Sequence, residues 1–301
     1  MTMITDNKNN YGKKSCDDVI DCRIAGSNNS GGQKTLSVVG VGPGDPELIT
    51  VKAINALIKS EYIFYPDVCG GKNKTAYEIV KSALKFAGLQ DIEEKMLIPL
   101  SVEMKRSTGK NKDLYRENAL KIYEKLANEK VSYVSYVTLG DPAFYSTYFG
   151  LHAALKEIED ENNSNADANI NLNINVNIIN GVSSFLYSFG LLEEPYIAKN
   201  ASVLISVPLK KSLDELKAEI SFIAGKSRLS RPQIIVFMKA GSCVKNILEA
   251  FEEASFGGGY GENKNGKIKL YLIEKSEVVK DFAKKADLHF DYFSILIGVF
   301  L

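Results

Sequence analysis

Tryptophan is absent, histidine occurs only at His152 and His289, and the four cysteines (16, 22, 69 and 243) form no Cys-x-x-Cys pair. A histidine-built metal site would need carboxylates or thiolates from elsewhere, and the cysteine spacing outlines no disulfide framework, so no metal is expected. Charge of one sign is also lacking. The 37 Lys and Arg balance 37 Asp and Glu to a formal net charge of zero, which argues against a chain specialised for nucleic acid or for an acidic membrane. No apolar run approaches the ~20 residues of a membrane span. The opening stretch MTMITDNKNNYGKK holds no apolar signal core, so the cytoplasm is the expected location. What is present, 45% hydrophobic and 25% charged residues over 301 positions, is the composition of a globular protein with one large or two modest domains.

Residues 1–34 are polar, rich in Asn, Gly, Ser and Lys, and read as a disordered lead segment. Its GSNNSGGQKT stretch lacks the Gly-Lys-Ser/Thr ending of a phosphate loop and has no strand before it. From Leu36 the chain alternates apolar runs with amphipathic stretches. Strands are expected at 36–42, 61–66, 96–100, 131–142 and 176–181, then at 202–208, 233–238, 267–273 and 292–300. Helices are expected at 74–87 (stopped at Gly88), 111–129, 143–158, 211–224, 242–254 and 277–286. Another helix should follow the first strand, capped by Asp45 with Pro46 at its first position. Leu48, Val51, Ile54, Leu57 and Ile58 would form its inner face. The Asn-rich stretch 161–177 reads either as an extended surface loop or, through its alternating Ile, Leu and Val, as an edge strand. Strands each followed by a helix imply an α/β fold with largely parallel sheets. The natural division is an N-terminal α/β domain over 35–180 and a smaller C-terminal α/β domain over 181–301.

Three loops at strand ends draw attention. GVGPGDPE (40–47) follows a strand and opens a helix, as a dinucleotide loop does, but Asp45 stands where the fingerprint needs its third glycine. Pro43 also removes an N–H that a pyrophosphate would use, and an acid repels phosphate, so NAD and FAD are disfavoured. TLGDPAFYSTY (138–148) ends a second strand in Gly-Asp-Pro, and NGVSSF (180–185) offers two hydroxyls at a third strand end. Ligands of open α/β sheets bind beyond the carboxyl ends of the strands, so these loops can share one crevice. Small residues with bare amides suit a ligand that needs close backbone approach but carries no phosphate.

GVGPGDPELITVKA, TLGDPAFYSTY, NGVSSF and IIVFMKAG resemble, in that order, four signature segments of the tetrapyrrole (uroporphyrin-III/corrin/diphthine) methylases. The resemblance covers about residues 35–301. EYIFYP, the Phe-Tyr-Ser-Thr after Gly-Asp-Pro, and the terminal YFSILIGVF are most similar to the enzymes that methylate carbon 20 of precorrin-2 or cobalt-factor II in cobalamin synthesis. The resemblance implies two α/β domains with an S-adenosylmethionine cleft between them, a tetrapyrrole substrate, and a homodimer. It places Pro43 near the methyl-transfer site and Leu139, Gly140 and Asp141 in a loop whose backbone cradles the methionine part. Ser183 and Ser184 match paired hydroxyl residues, Met238 lines the adenine pocket, and Ser276 falls near the last contact. One departure is Asn180-Gly181, where the family usually has Pro-Gly. Other readings are a sister methylase acting at a different ring carbon, a diphthine synthase, or a non-catalytic ligand-binding module of the same fold.

Methyl transfer from a sulfonium has an activated leaving group, so alignment and exclusion of water are the main requirements. A chain without a triad or histidine pair fits that chemistry. Asp45 is the acid placed to orient substrate or accept a proton from the methylated carbon, with helix capping as the alternative. A macrocycle fringed with carboxylates calls for cations, and the stretch 104–116 concentrates Lys105, Arg106, Lys110, Lys112 and Arg116. It reads as a carboxylate clamp or as a solvated charged loop. A clamp predicts that replacing Arg106 and Lys110 together by Ala weakens tetrapyrrole binding at least several-fold in an absorbance titration. Unchanged affinity would leave the solvated loop.

Overall fold

β1 (Lys34–Gly40) is buried along almost its whole length, and a central strand buried on both faces sits inside a layered sheet. The computed structural model describes residues 33–68, 75–88, 96–103, 110–164, 172–192, 194–197, 199–227, 232–254, 268–284 and 290–301. Residues 1–32 of the lead segment lie outside them. β1 begins at Lys34, inside the span read as the lead. Lys34 is 8% exposed, and its ammonium donates to the carbonyls of Asn128 (2.8 Å) and Val131 (2.6 Å). Charge-assisted bonds of this type contribute roughly 1.5–3 kcal/mol each, and they fix where the strand starts.

The first sheet contains β1, β2 (Tyr62–Val68), β3 (Leu97–Val102), β4 (Tyr133–Thr138) and β5 (Ile174–Ile179) in the order β3-β2-β4-β1-β5. Every pairing is parallel. α1 (Val51–Lys59) and α2 (Thr75–Phe86) cover one face through Ala53, Ala56, Leu57, Ile79 and Val80. α3 (Lys110–Ala127) and α4 (Tyr148–Ser164) cover the other through Ala119, Ile122, Leu151 and Ile158. Of the Asn-rich stretch, 161–164 continue α4 and 174–177 belong to β5, the edge strand beside β1. Residues 165–171 lie outside the described residues. Glu159 is nearly buried and accepts from the Ile174 N–H at 3.0 Å, which ties the helix to the start of that edge strand.

The second sheet contains β6 (Ser202–Ser206), β7 (Gln233–Phe237), β8 (Ile268–Glu274), β9 (Glu277–Val279) and β10 (Ile295–Phe300) in the order β6-β7-β10-β8-β9. α6 (Leu213–Ser227) and α7 (Val244–Glu253) cover one face. α5 (Ser184–Gly190) and the chain after it cover part of the other, through Phe185, Leu192 and Tyr196.

The architecture is α/β with two sheets, as expected, but three local expectations are corrected. The second sheet is not largely parallel. β6 and β7 are parallel, whereas β10 enters between β7 and β8 and pairs antiparallel with both. The strand-helix alternation fixes the common direction of β6, β7 and β8, while the last strand has no crossover helix to constrain it. The expected helix at 277–286 is instead β9 followed by a short 3₁₀ turn, Phe282–Lys284. Lys275 and Ser276 both have positive φ (49° and 66°), as in a two-residue hairpin turn, but they lack the Asn-Gly chemistry that advertises one.

The third correction concerns the segment after β1. Asp45 caps only a 3₁₀ turn, Pro46–Leu48, by accepting from the Glu47 N–H at 2.9 Å. The chain is then extended at Ile49, and Thr50 caps α1 by accepting from the Ala53 N–H at 3.1 Å. This break resets the helical phase, so Val51 is 62% exposed while Ala53, Ala56 and Leu57 are buried. Thr50→Ala should therefore destabilise the fold by about 0.5–2 kcal/mol in chemical denaturation. Asp45→Ala should cost less, because its turn propagates into no helix; an equal or larger loss at Asp45 would contradict this division of roles.

Candidate functional site

The sheet order puts β1 between β4 and β5, and the chain leaves β1 toward β2 but leaves β4 toward β5. Connections departing in opposite directions open a crevice at the carboxyl ends of the two strands. Three loops meet there, and they meet through glycine backbone. A β-carbon on Gly40 would stand 2.6 Å from both the Gly140 carbonyl oxygen and the Gly181 nitrogen. One on Gly181 would collide with the same Gly140 oxygen and stand 2.8 Å from the carbonyl of Gly40. Gly42 and Gly140 pair as an isolated bridge, with Gly140 N–H donating to Gly42 O at 2.8 Å and Gly42 N–H to Gly140 O at 3.3 Å.

Side chains then fix the loops. Asp141 accepts from the Ala143 N–H at 2.7 Å, and the Asn180 amide donates to both of its carboxylate oxygens at 3.2 and 3.1 Å. Asn180 thus ties the third loop to the second. The Tyr-Ser-Thr run folds the second loop back onto its strand. The Tyr136 hydroxyl and Thr147 Oγ1 lie 2.6 Å apart, and Ser146 Oγ donates to Thr138 Oγ1 at 3.2 Å. Burial pushes the Tyr136 phenol far above its ordinary range, so this hydroxyl stays neutral as a hydrogen-bonding group. His152 packs beside Tyr148, whose hydroxyl lies 3.0 Å from its Nδ1, and burial raises the Tyr148 phenol to about 12.

The second sheet closes the crevice from across. Its strand ends at Ser206 and Phe237, the start of β10 and the β8–β9 hairpin all lie at one edge. Tyr145, strained at φ 46°, sends its hydroxyl to the Ile205 carbonyl at 3.4 Å, and its own carbonyl accepts from Lys239 Nζ at 2.9 Å. Tyr145 is 43% exposed, so it belongs to the crevice wall and not to the core. Phe144 and Phe185 place their ring centres 5.3 Å apart.

Of the residues singled out from the sequence, those of the three loops lie at the ends of β1, β4 and β5. Gly44, next to Pro43, faces the hairpin tip, where Ser276 Oγ lies 3.6 Å from the position of a β-carbon on Gly44. Leu139, Gly140 and Asp141 form the second loop, and the Ser184 nitrogen lies 3.8 Å from the corresponding point on Gly140. Ser183 is buried at the start of α5 without making a side-chain cap, and Met238 is 7% exposed with its N–H on the Ser206 carbonyl at 2.8 Å. Asp45 is exposed and engaged as a cap. Lys105 and Arg106 lie outside the described residues, and of Lys110 only the backbone, opening α3, is described. Tyr145–Lys239 and Asn180–Asp141 were missed as pairs. Their members stand 94 and 39 residues apart, and no spacing rule links them. The described helices include none long and apolar enough to cross a membrane.

Comparison with known proteins was informative. The family model of the tetrapyrrole (corrin/porphyrin) methylases matches residues 35–260. The probable cobalt-precorrin-2 C(20)-methyltransferase of Methanocaldococcus jannaschii is 34% identical over 192 residues, covering 63% of this chain and 70% of that protein. The precorrin-2 C(20)-methyltransferase of a Sinorhizobium species is 33% identical over 121 residues, covering 39% of this chain and only 47% of that protein. Among solved structures, a cobalt precorrin-4 methyltransferase superposes with a TM-score of 0.57 at 16% identity, covering 88% of this chain and 94% of that one. The uroporphyrin-III C-methyl transferase of Thermus thermophilus, solved with S-adenosyl homocysteine, gives 0.52 at 16% identity, covering 88% and 96%. At such identity these two likenesses speak for the fold.

The glycine contacts make a direct prediction. Gly181→Ala should force the three loops apart, costing about 1–3 kcal/mol or more of stability and lowering adenosylhomocysteine affinity in calorimetry. A variant with unchanged stability and affinity would show that the close approach is not required.

Proposed function

The chain belongs to the tetrapyrrole (corrin/porphyrin) methylase family, and from that premise we propose that it is an S-adenosylmethionine-dependent methyltransferase acting on carbon 20 of precorrin-2 or cobalt-factor II in cobalamin biosynthesis. The observation that carries the choice of ring carbon is the identity of 34% and 33% to two proteins named for C(20) methylation. The proposal includes a homodimer and a cytoplasmic location, both of which accompany the family reading.

The crevice suits the donor on physical grounds. Gly140 and Gly44 carry no side chain, so their backbone is bare where the second loop approaches Ser184 and the first loop approaches Ser276. Bare backbone of this kind suits a ligand that needs close approach to amides and carbonyls and carries no phosphate. Pro43 and the exposed Asp45 make the first loop unsuited to a pyrophosphate. In this reading the amides and carbonyls of Leu139, Gly140 and Asp141 hold the methionine part. Ser183 and Ser184 supply hydroxyls, Met238 lines the adenine side, and Pro43 and Ser276 close the first loop against the hairpin. The bound sulfonium supplies a methyl group that is already activated for displacement. The protein contributes alignment at about 3–3.5 Å and removal of water from between the reactants, which together reach several kcal/mol of barrier lowering.

Incubation with precorrin-2 and with cobalt-factor II, each with a methyl-labelled donor, is expected to place label on carbon 20 of one of them, read by mass and NMR. Label at another carbon would favour a sister methylase. Donor binding without transfer to either tetrapyrrole would favour a non-catalytic module.

A further inference from the structure

Methylation of a ring carbon that bears hydrogen requires a proton acceptor, and Asp45, the acid nominated from the sequence, has one carboxylate oxygen engaged in a cap. A second acid stands at the same edge of the sheet. Asp67 is the last residue but one of β2, and β2 is the immediate neighbour of β4. The two strands are in register from Tyr62↔Val134 to Phe64↔Tyr136. Counting three residues on along each brings Asp67 level with Leu139, the start of the second loop. Its Oδ1 is buried and has no hydrogen-bond partner among the described residues. A buried acceptor left unpaired costs about 1–3 kcal/mol, more when charged, and a catalytic role is one of the explanations such a group admits. A helix residue bonded to the next strand shows the same feature among the described residues. Asp67 is in register with Ser101, whose carbonyl accepts from the Asn118 amide at 2.7 Å, and Asn118, 3% exposed, leaves its own buried Oδ1 unpartnered. In the order β3-β2-β4-β1-β5 the three glycine loops occupy the ends of β4, β1 and β5. The end of β2 is thus the next position along the edge from the donor crevice.

We propose that Asp67 is the catalytic base of the reaction. This rests on the methyltransferase reading above. The ring carbon attacks the methyl group, the carbon–sulfur electron pair returns to sulfur as a neutral thioether, and the proton on that carbon passes to the Asp67 carboxylate, whose unpaired oxygen is its acceptor. The overall change is replacement of C–H by C–CH₃ with one proton released through Asp67 to solvent.

The test compares wild type with Asp67→Asn, which preserves shape and removes the basic oxygen pair. Because Oδ1 is unpaired in the fold, the variant should melt at the same temperature or higher and should bind adenosylhomocysteine as wild type does. Label transfer should fall by about 10²–10⁴-fold, with tetrapyrrole KM little changed. Deuterium at carbon 20 should slow the variant more than it slows wild type, because proton removal then limits the rate. Wild-type rate and isotope effect in the variant would overturn the role, and so would a lowered melting temperature together with lost donor affinity, which would mark Asp67 as structural. Wild type that labels neither tetrapyrrole would overturn the methyltransferase reading and this role with it, an outcome distinct from an active wild type and an active variant.

Discussion

Three backbones touching at Gly40, Gly140 and Gly181 are the constraint on which the rest of the molecule depends. A side chain at Gly40 or Gly181 would separate the ends of β1, β4 and β5, and with them every loop of the crevice. The contact is possible because the sheet is parallel and all three ends point the same way. It is useful because β1 sits between strands whose connections depart in opposite directions. The bridge between Gly42 and Gly140 extends the sheet's hydrogen bonding one step beyond the strands, so the loops inherit the rigidity of the sheet.

The second sheet contributes in a different way. Its own core, on the α6 and α7 face, is independent of the first sheet. What it offers the crevice is an edge: the Ile205 carbonyl, the Met238–Lys239 turn and the Ser276 hairpin tip. Lys239 and Tyr145 both hold left-handed backbone, at φ 56° and 46°. Conformations of that kind persist in bulky residues only where surrounding contacts over-determine them. The Lys239–Tyr145 hydrogen bond is such a contact, and it joins the two halves at the loop that carries Gly140 and Asp141.

Polar groups at this edge divide into satisfied and unsatisfied ones, and the division is informative. Asp45, Asp141 and Thr50 each accept from backbone or amide N–H groups and shape the loops. Tyr136, Ser146, Thr138 and Thr147 satisfy one another. Against that background the buried oxygens of Asp67 and Asn118, which have no hydrogen-bond partner among the described residues, stand out. Reading function from them relies on cost: stability is a small difference between large terms, so an unpaired buried acceptor is a substantial fraction of it.

The sequence by itself determined the α/β class, every strand except β9 to within a few residues, and the three loop segments. These rest on local hydrophobic period and on turn chemistry, which neighbouring residues express without help. It also carried the family resemblance, because GVGPGDPE and TLGDPAFYST are contiguous. Only the tertiary structure decided that β10 slides antiparallel between β7 and β8, that Lys275-Ser276 turns a hairpin where a helix was expected, and that Thr50 takes over from Asp45 as the cap of α1. The same holds for Asn180 meeting Asp141 and for Asp67 standing unpaired beside the crevice. The β10 placement, the Asn180–Asp141 contact and the surroundings of Asp67 depend on which distant backbone a segment comes to lie against, and a one-dimensional pattern holds no information about partners that only chain folding brings within hydrogen-bonding reach.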